Sequence, residues 1–169
     1  MRDVIKKILV FGCVIIFSGI AVTACFSDDD SDESYFVTFK VDGTAKNFNS
    51  GFQGRDGENP VMIYDSGSGT STLYAFPSAV SYDSYSTSGP SAVQNMLALG
   101  FDGKSTGSYT GGTLDPCVYK ENGILYSETS VTFVVSRYSN GIAEGTLSGT
   151  LSGGQAVTEG SFRVVARDN

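Results

Sequence analysis

From Tyr35 to the end of the chain, apolar and polar residues alternate with a period of two, in short runs. Between the runs stand dipeptides that favour a left-handed backbone: Asp42-Gly43, Asp102-Gly103, Asn122-Gly123, Asn140-Gly141 and Gly153-Gly154. A period of two puts alternate side chains on opposite faces of a strand, and Asp-Gly or Asn-Gly supplies the positive φ of a tight hairpin. Tyr35, Val37, Phe39 and Val41 share one face of the opening strand, and Thr44 to Phe48 returns as its partner. Val61 to Tyr64 and Thr72 to Phe76 flank Ser66-Gly67-Ser68-Gly69, and Cys117 to Tyr119 and Ile124 to Tyr126 flank Glu121-Asn122-Gly123. Ser130 to Tyr138, Ile142 to Leu151 and Val157 to Arg167 form a closing meander of longer strands. Proline donates no ladder hydrogen bond, so Pro77 ends the Thr72 strand or marks a sheet edge.

Three stretches need separate treatment. Ala92 to Phe101 contains helix-forming Ala, Leu and Met, but it runs into Asp102-Gly103 among strands and is read as a strand. Ser105 to Gly112 is rich in turn residues. Ser81 to Ser91 sets Tyr82 and Tyr85 among serines without alternation and is expected to be a long exposed loop. The whole predicts an all-β domain, an antiparallel β-sandwich of about nine or ten strands, with a closed or partly open β-barrel as the alternative. In the meander, Gly145, Gly149 and Gly160 fall on the inward face, which predicts large aromatics packed over them from an opposing sheet; Phe39, Phe101 and Phe133 are the candidates.

The first residues follow a different logic. Arg2, Lys6 and Lys7 precede the apolar stretch Ile8 to Ala24, the profile of a secretory leader. The stretch ends in Val22-Thr23-Ala24-Cys25, which resembles the lipobox of bacterial lipoproteins: an aliphatic residue, two small ones and the cysteine that is alkylated. The expectation is a signal peptide over 1–24, cleavage between Ala24 and Cys25, and acylation of the Cys25 thiol. Residues 25–34 then form a tether, because Asp28, Asp29, Asp30, Asp32 and Glu33 repel one another and nothing apolar is present to pack them. This run serves as a solvated spacer and resembles the surface-export signals of some Bacteroidetes lipoproteins. Residues 35–169 are the single domain.

Charge and composition exclude several functions. Beyond residue 24 the chain holds Lys40, Lys46, Arg55, Lys104, Lys120, Arg137, Arg163 and Arg167, scattered among a larger number of acids, so nucleic acid is not an expected partner. With no histidine, Ser-His-Asp and Cys-His nucleophile systems are excluded, and with Cys117 as the one thiol left in the domain neither a disulfide framework nor a zinc site is expected. Cys117 is expected to be buried. No sequence feature calls for a cofactor.

Two groups remain as candidate sites. Tyr82 and Tyr85, with Tyr64 and Tyr74 on nearby strands, form a candidate aromatic platform for a sugar or a peptide, since tyrosine joins apolar area to a polar handle. Asp56 and Glu58, in Gly54-Arg55-Asp56-Gly57-Glu58-Asn59, are a candidate calcium loop or carboxylate pair, although residues so close in a turn lack the ligand spacing of an EF-hand. The functional expectation is a non-catalytic binding or interaction module, held at the cell envelope by its lipid and facing a glycan or protein partner. A carboxylate-dependent glycan hydrolase and a structural subunit of a surface assembly are the alternatives.

Val41-Asp42-Gly43, Gly107-Ser108-Tyr109-Thr110, the run Glu144 to Leu151 and the run Glu159 to Val164 together resemble a class of small Bacteroidetes-type lipoproteins with an all-β domain of unknown function. The resemblance implies an envelope location, most naturally the outer membrane, and an all-β fold. It implies no catalytic residue.

Overall fold

The structure is a computed structural model that describes residues 34–110, 117–127 and 130–169, all within one unit, Glu33–Asn169. Cleavage at Ala24, acylation of Cys25 and the acidic tether up to Glu33 lie outside the described residues, as does the side chain of Cys117. The strands are β1 (Phe36–Val41), β2 (Thr44–Asn47), β3 (Val61–Asp65), β4 (Thr70–Ala75), β5 (Met96–Asp102), β6 (Gly107–Thr110), β7 (Cys117–Glu121), β8 (Ile124–Ser127), β9 (Ser130–Ser139), β10 (Ile142–Thr150) and β11 (Ala156–Asp168). One short helix, α1 (Tyr82–Ser88), lies between β4 and β5.

The protein is all-β. Its strands form a single mixed sheet, ordered β6-β9-β10-β11-β3-β4-β5-β7-β8, with β1 also on β11 and β2 outside β1. The sheet curls into a half-barrel, so the two facing layers are flanks of one sheet. Among the described residues there are eleven strands. Neighbours are antiparallel except β11 and β3, which run parallel over Val165↔Val61 to Asp168↔Tyr64.

β11 is 13 residues long and carries this arrangement. Along one edge it pairs with β10 from Thr150↔Ala156 to Ile142↔Val165. Along the other it pairs first with β1 and then with β3, which therefore meet it end to end. Register slips against both β1 and β10 around Thr158 and Glu159, where Glu159 takes φ +51°. This is a bulge, and bulges increase local twist and curl a sheet. A second slip, between Glu144 and Gly145 against β9, bends the same flank.

The glycines of the meander explain how the strands come so close. A Cβ on Gly145 would lie 2.0 Å from the Val134 carbonyl oxygen and 2.7 Å from Cζ of Phe162, and one on Gly160 would lie 2.3 Å from the Leu147 carbonyl oxygen. The nearest neighbours of these glycines thus belong to the adjacent strands of their own flank, with Phe162 the covering ring, not to aromatics from across the barrel. Phe39, Phe101 and Phe133 are buried as expected, but they build the main core. That core also takes in Val37, Leu73, Leu99 and Val164 from both flanks.

The turns follow the sequence: Asp42-Gly43, Asn122-Gly123 and Asn140-Gly141 all have positive φ at both residues. β4 ends at Ala75, just before Pro77, and β5 is the strand expected within 92–101. Two segments also depart from expectation. The segment 105–112 contains β6, which pairs with β9, and the segment 81–91 forms α1 and a 3₁₀ turn over Gly89–Ala92 in place of a loop.

Among the described residues no ladder joins β2 to β7 or β8, and this seam is closed by side chains. Phe39 and Phe48 pack on Tyr119 at 5.8 and 6.3 Å between centroids, and the Lys46 ammonium pairs with Glu121. The Tyr119 hydroxyl donates to Glu121 Oε2 at 2.8 Å. Burial, reinforced by the adjacent carboxylate, pushes the Tyr119 hydroxyl well above its ordinary pKa. The hydrogen bond from Lys46 holds the Glu121 carboxyl below its ordinary value.

Two predictions follow from the packing. Gly145→Ala forces the Val134 backbone and the Phe162 ring apart, and the expected loss is about 1–3 kcal/mol in urea denaturation, as for other overpacked cores. A carboxyl with a lowered folded pKa stabilises above its unfolded pKa, and that contribution is lost as pH falls through the folded value. Thermal melts should therefore rank the wild type above Glu121→Gln at pH 7, and the gap should close as pH falls below the ordinary carboxyl value of 4.5.

Candidate functional site

Alternation leaves the strands of one flank with a second, outward face. In β3, Met62 turns into the main core while Val61 and Ile63 turn out; in β4, Leu73 and Ala75 turn in while Thr70, Thr72 and Tyr74 turn out. β5 is apolar on both faces, and from Met96 to Phe101 it is buried throughout. This outward face needs a cover. The two long connections on either side of the β3–β4 hairpin supply it, burying Phe52, Phe76 and Val93 against Val61, Met96, Ala98 and Val118.

α1 belongs to this cover. Seven residues are too few to hold a helix in water, so tertiary contacts must fix it. Tyr82 and Tyr85, three apart, fall on one side of the helix and pack on the buried Phe52 at 5.3 and 5.5 Å. Tyr85 also meets Tyr74 at 5.7 Å and Phe76 at 6.1 Å. The Ser81 hydroxyl accepts from Ser84 N at 3.4 Å, and Gly89, with φ +57°, ends the helix ahead of Pro90. Lys120, only 8 % exposed, donates from Nζ to the Pro90 carbonyl at 2.9 Å, so a buried cation fastens the following turn to β7.

Between α1 and the outward face of β3 and β4 lies a groove of about 690 Å³. Tyr74, Tyr82 and Tyr85 line it with Asp65, Thr70 and Thr72. The volume lies within the range of roughly 300–1,000 Å³ typical of small-ligand sites. Asp65 Oδ1 accepts from Gly67 N at 2.8 Å, which fixes the carboxylate at the rim. The Arg55 guanidinium lies 3.5 Å from the Tyr82 ring centroid.

The structure brings together three of the four candidate tyrosines. Tyr64 is separated from them by the sheet: Tyr64 pairs with the inward-facing Ser71 and Val61 pairs with Tyr74, so Tyr64 and Tyr74 have opposite parity. The ring of Tyr64 instead meets the Lys104 ammonium at 4.6 Å. Because Tyr82 and Tyr85 bury much of their rings in the small core, they form the wall of a groove and not a free-standing platform.

Asp56 and Glu58 have other partners. Asp56 accepts from Arg167 Nε at 3.0 Å, which ties the loop to the end of β11, and Glu58 Oε1 accepts from Gly54 N at 3.3 Å. Asp56, Gly57 and Glu58 all adopt positive φ, a tight left-handed turn. Among the described residues no group of three His, Cys, Asp or Glu gathers where a metal would sit. The sequence reading missed Asp65, Thr70 and Thr72. Their position two apart along β4, and on one face of the β3–β4 hairpin, was the available signal.

No protein-family model, curated protein or solved structure matches the chain.

Proposed function

We propose that this chain is a lipid-anchored envelope protein whose β domain binds a ligand without transforming it. The observation that carries the binding reading is the groove between α1 and the β3–β4 hairpin, preshaped and lined by aromatic and hydroxyl side chains. Its strand side is held by ladders on both edges, and its helix side by the tyrosine packing and the Lys120 contact. Asp65 is the one carboxylate side chain among its described lining residues, whereas acid–base hydrolysis of a glycosidic bond uses two such side chains. The absence of histidine from the sequence supports the same reading. The anchor rests on the leader and on Val22-Thr23-Ala24-Cys25, and the resemblance to small Bacteroidetes-type lipoproteins points to the outer membrane.

The anchor is tested by expression in a host with lipoprotein-processing enzymes. The mature chain is expected to begin at Cys25, carry acyl mass and sediment with membranes, and Cys25→Ser should retain its leader or appear in the soluble fraction. Mature protein that starts at Met1 without fatty chains removes the anchor. Binding without turnover is tested by thermal denaturation in the presence of fractionated envelope polysaccharides and peptides. A ligand at about 100 times its Kd adds roughly 2.7 kcal/mol. The expected result is a higher melting temperature with the ligand recovered intact. Recovery of cleaved ligand, with cleavage dependent on the protein, overturns the non-catalytic reading.

A further inference from the structure

Resting on the groove as the binding site, we infer that its ligand is an uncharged saccharide held by Thr70, Thr72 and Asp65 against Tyr74 and Tyr85. Position speaks first. β3 lies between β11 and β4, and β4 between β3 and β5, so neither presents an unpaired backbone edge to the groove. An extended peptide is recognised chiefly by adding its own strand to such an edge, and here none is offered.

Charge speaks second. No Lys or Arg lines the groove, and Asp65 gives it negative character, so phosphate, sulfate and uronate ligands meet repulsion without a counter-charge. A cation would favour stacked tyrosines, but the ring of Tyr82 is already taken by the Arg55 guanidinium.

Hydrogen-bonding chemistry speaks third. Thr70 and Thr72 stand on one face of β4, with Ser68 and Ser86 beside them at the groove. A hydroxyl both donates and accepts, and a wall of hydroxyls therefore matches a ligand that does the same. Asp65 is oriented by the Gly67 N–H, and a carboxylate has about four acceptor positions, which leaves it able to take a neighbouring pair of ligand hydroxyls. The faces of pyranose rings carry C–H groups that suit tyrosine rings. Apolar faces edged with hydroxyls are a property of sugars, and the groove has the complementary arrangement.

The chain contains no tryptophan, so its intrinsic emission comes from its nine tyrosines, of which Tyr74, Tyr82 and Tyr85 line the groove. Full-length protein is titrated, by emission and by calorimetry, with neutral cello-, xylo-, manno- and N-acetylchito-oligosaccharides. Oligogalacturonate and oligolysine serve as charged controls. At least one neutral series is expected to bind and the charged controls are not. Thr72→Val and Asp65→Asn are each expected to weaken binding by about tenfold while the melting temperature is unchanged. If no neutral series binds, or if binding is indifferent to both variants, the inference is wrong. Binding of either charged control that Thr72→Val weakens leaves the groove as a binding site but overturns the inference: with oligogalacturonate the ligand is not uncharged, and with oligolysine it is not a saccharide. Silence from every probe, together with no stabilisation by any envelope fraction, removes both.

Discussion

The two-sided pairing of β11 is the constraint on which the rest of the structure depends. One strand carries β10 on one edge and, on the other, β1 followed by β3. That division joins the opening hairpin and the β3–β4–β5–β7–β8 flank into one sheet, and the bulge at Glu159 turns the sheet enough for the flanks to face each other. A strand shorter by its last four residues would keep the meander and β1 but have no partner for β3. The groove flank would then be attached only through side-chain packing and connecting loops.

Much of this was legible in the sequence because hairpins are local. Asp42-Gly43, Asn122-Gly123 and Asn140-Gly141 specify both the turn and, through it, the register of the flanking strands. The parallel β11–β3 pair was not legible: β3 alternates as any half-buried strand does, and nothing local records that its partner lies about a hundred residues away. β6 escaped notice because its residues are mostly exposed and it is a strand only by virtue of β9. α1 escaped notice because its helical state comes from two tyrosines meeting Phe52, a contact between separate connections.

The site divides in the same way. That tyrosines gather was readable from their number and nearness in the chain. Which of them gather was decided by parity: the hairpin that places Tyr74 outward necessarily turns Tyr64 inward. The carboxylates of the 54–59 loop suggested chemistry, but Arg167, far along the sequence, takes Asp56 into an ion pair. Threonines 70 and 72 drew no attention because hydroxyls on a strand surface are ordinary, and they gain meaning only when a helix roofs that surface.

The aromatic seam between the opening hairpin and β7 has a mechanical consequence. β1 is where the chain enters the domain from its N-terminal side, and among the described residues β1 and β2 meet the far flank through side chains, the core, the rings and an ion pair, without a ladder. A pull along β1 at that entry would load the β1–β11 ladder in shear, where its hydrogen bonds act together. Along backbone hydrogen bonds, force from the entry would reach β3 and β4 through β11, the strand with which both β1 and β3 pair.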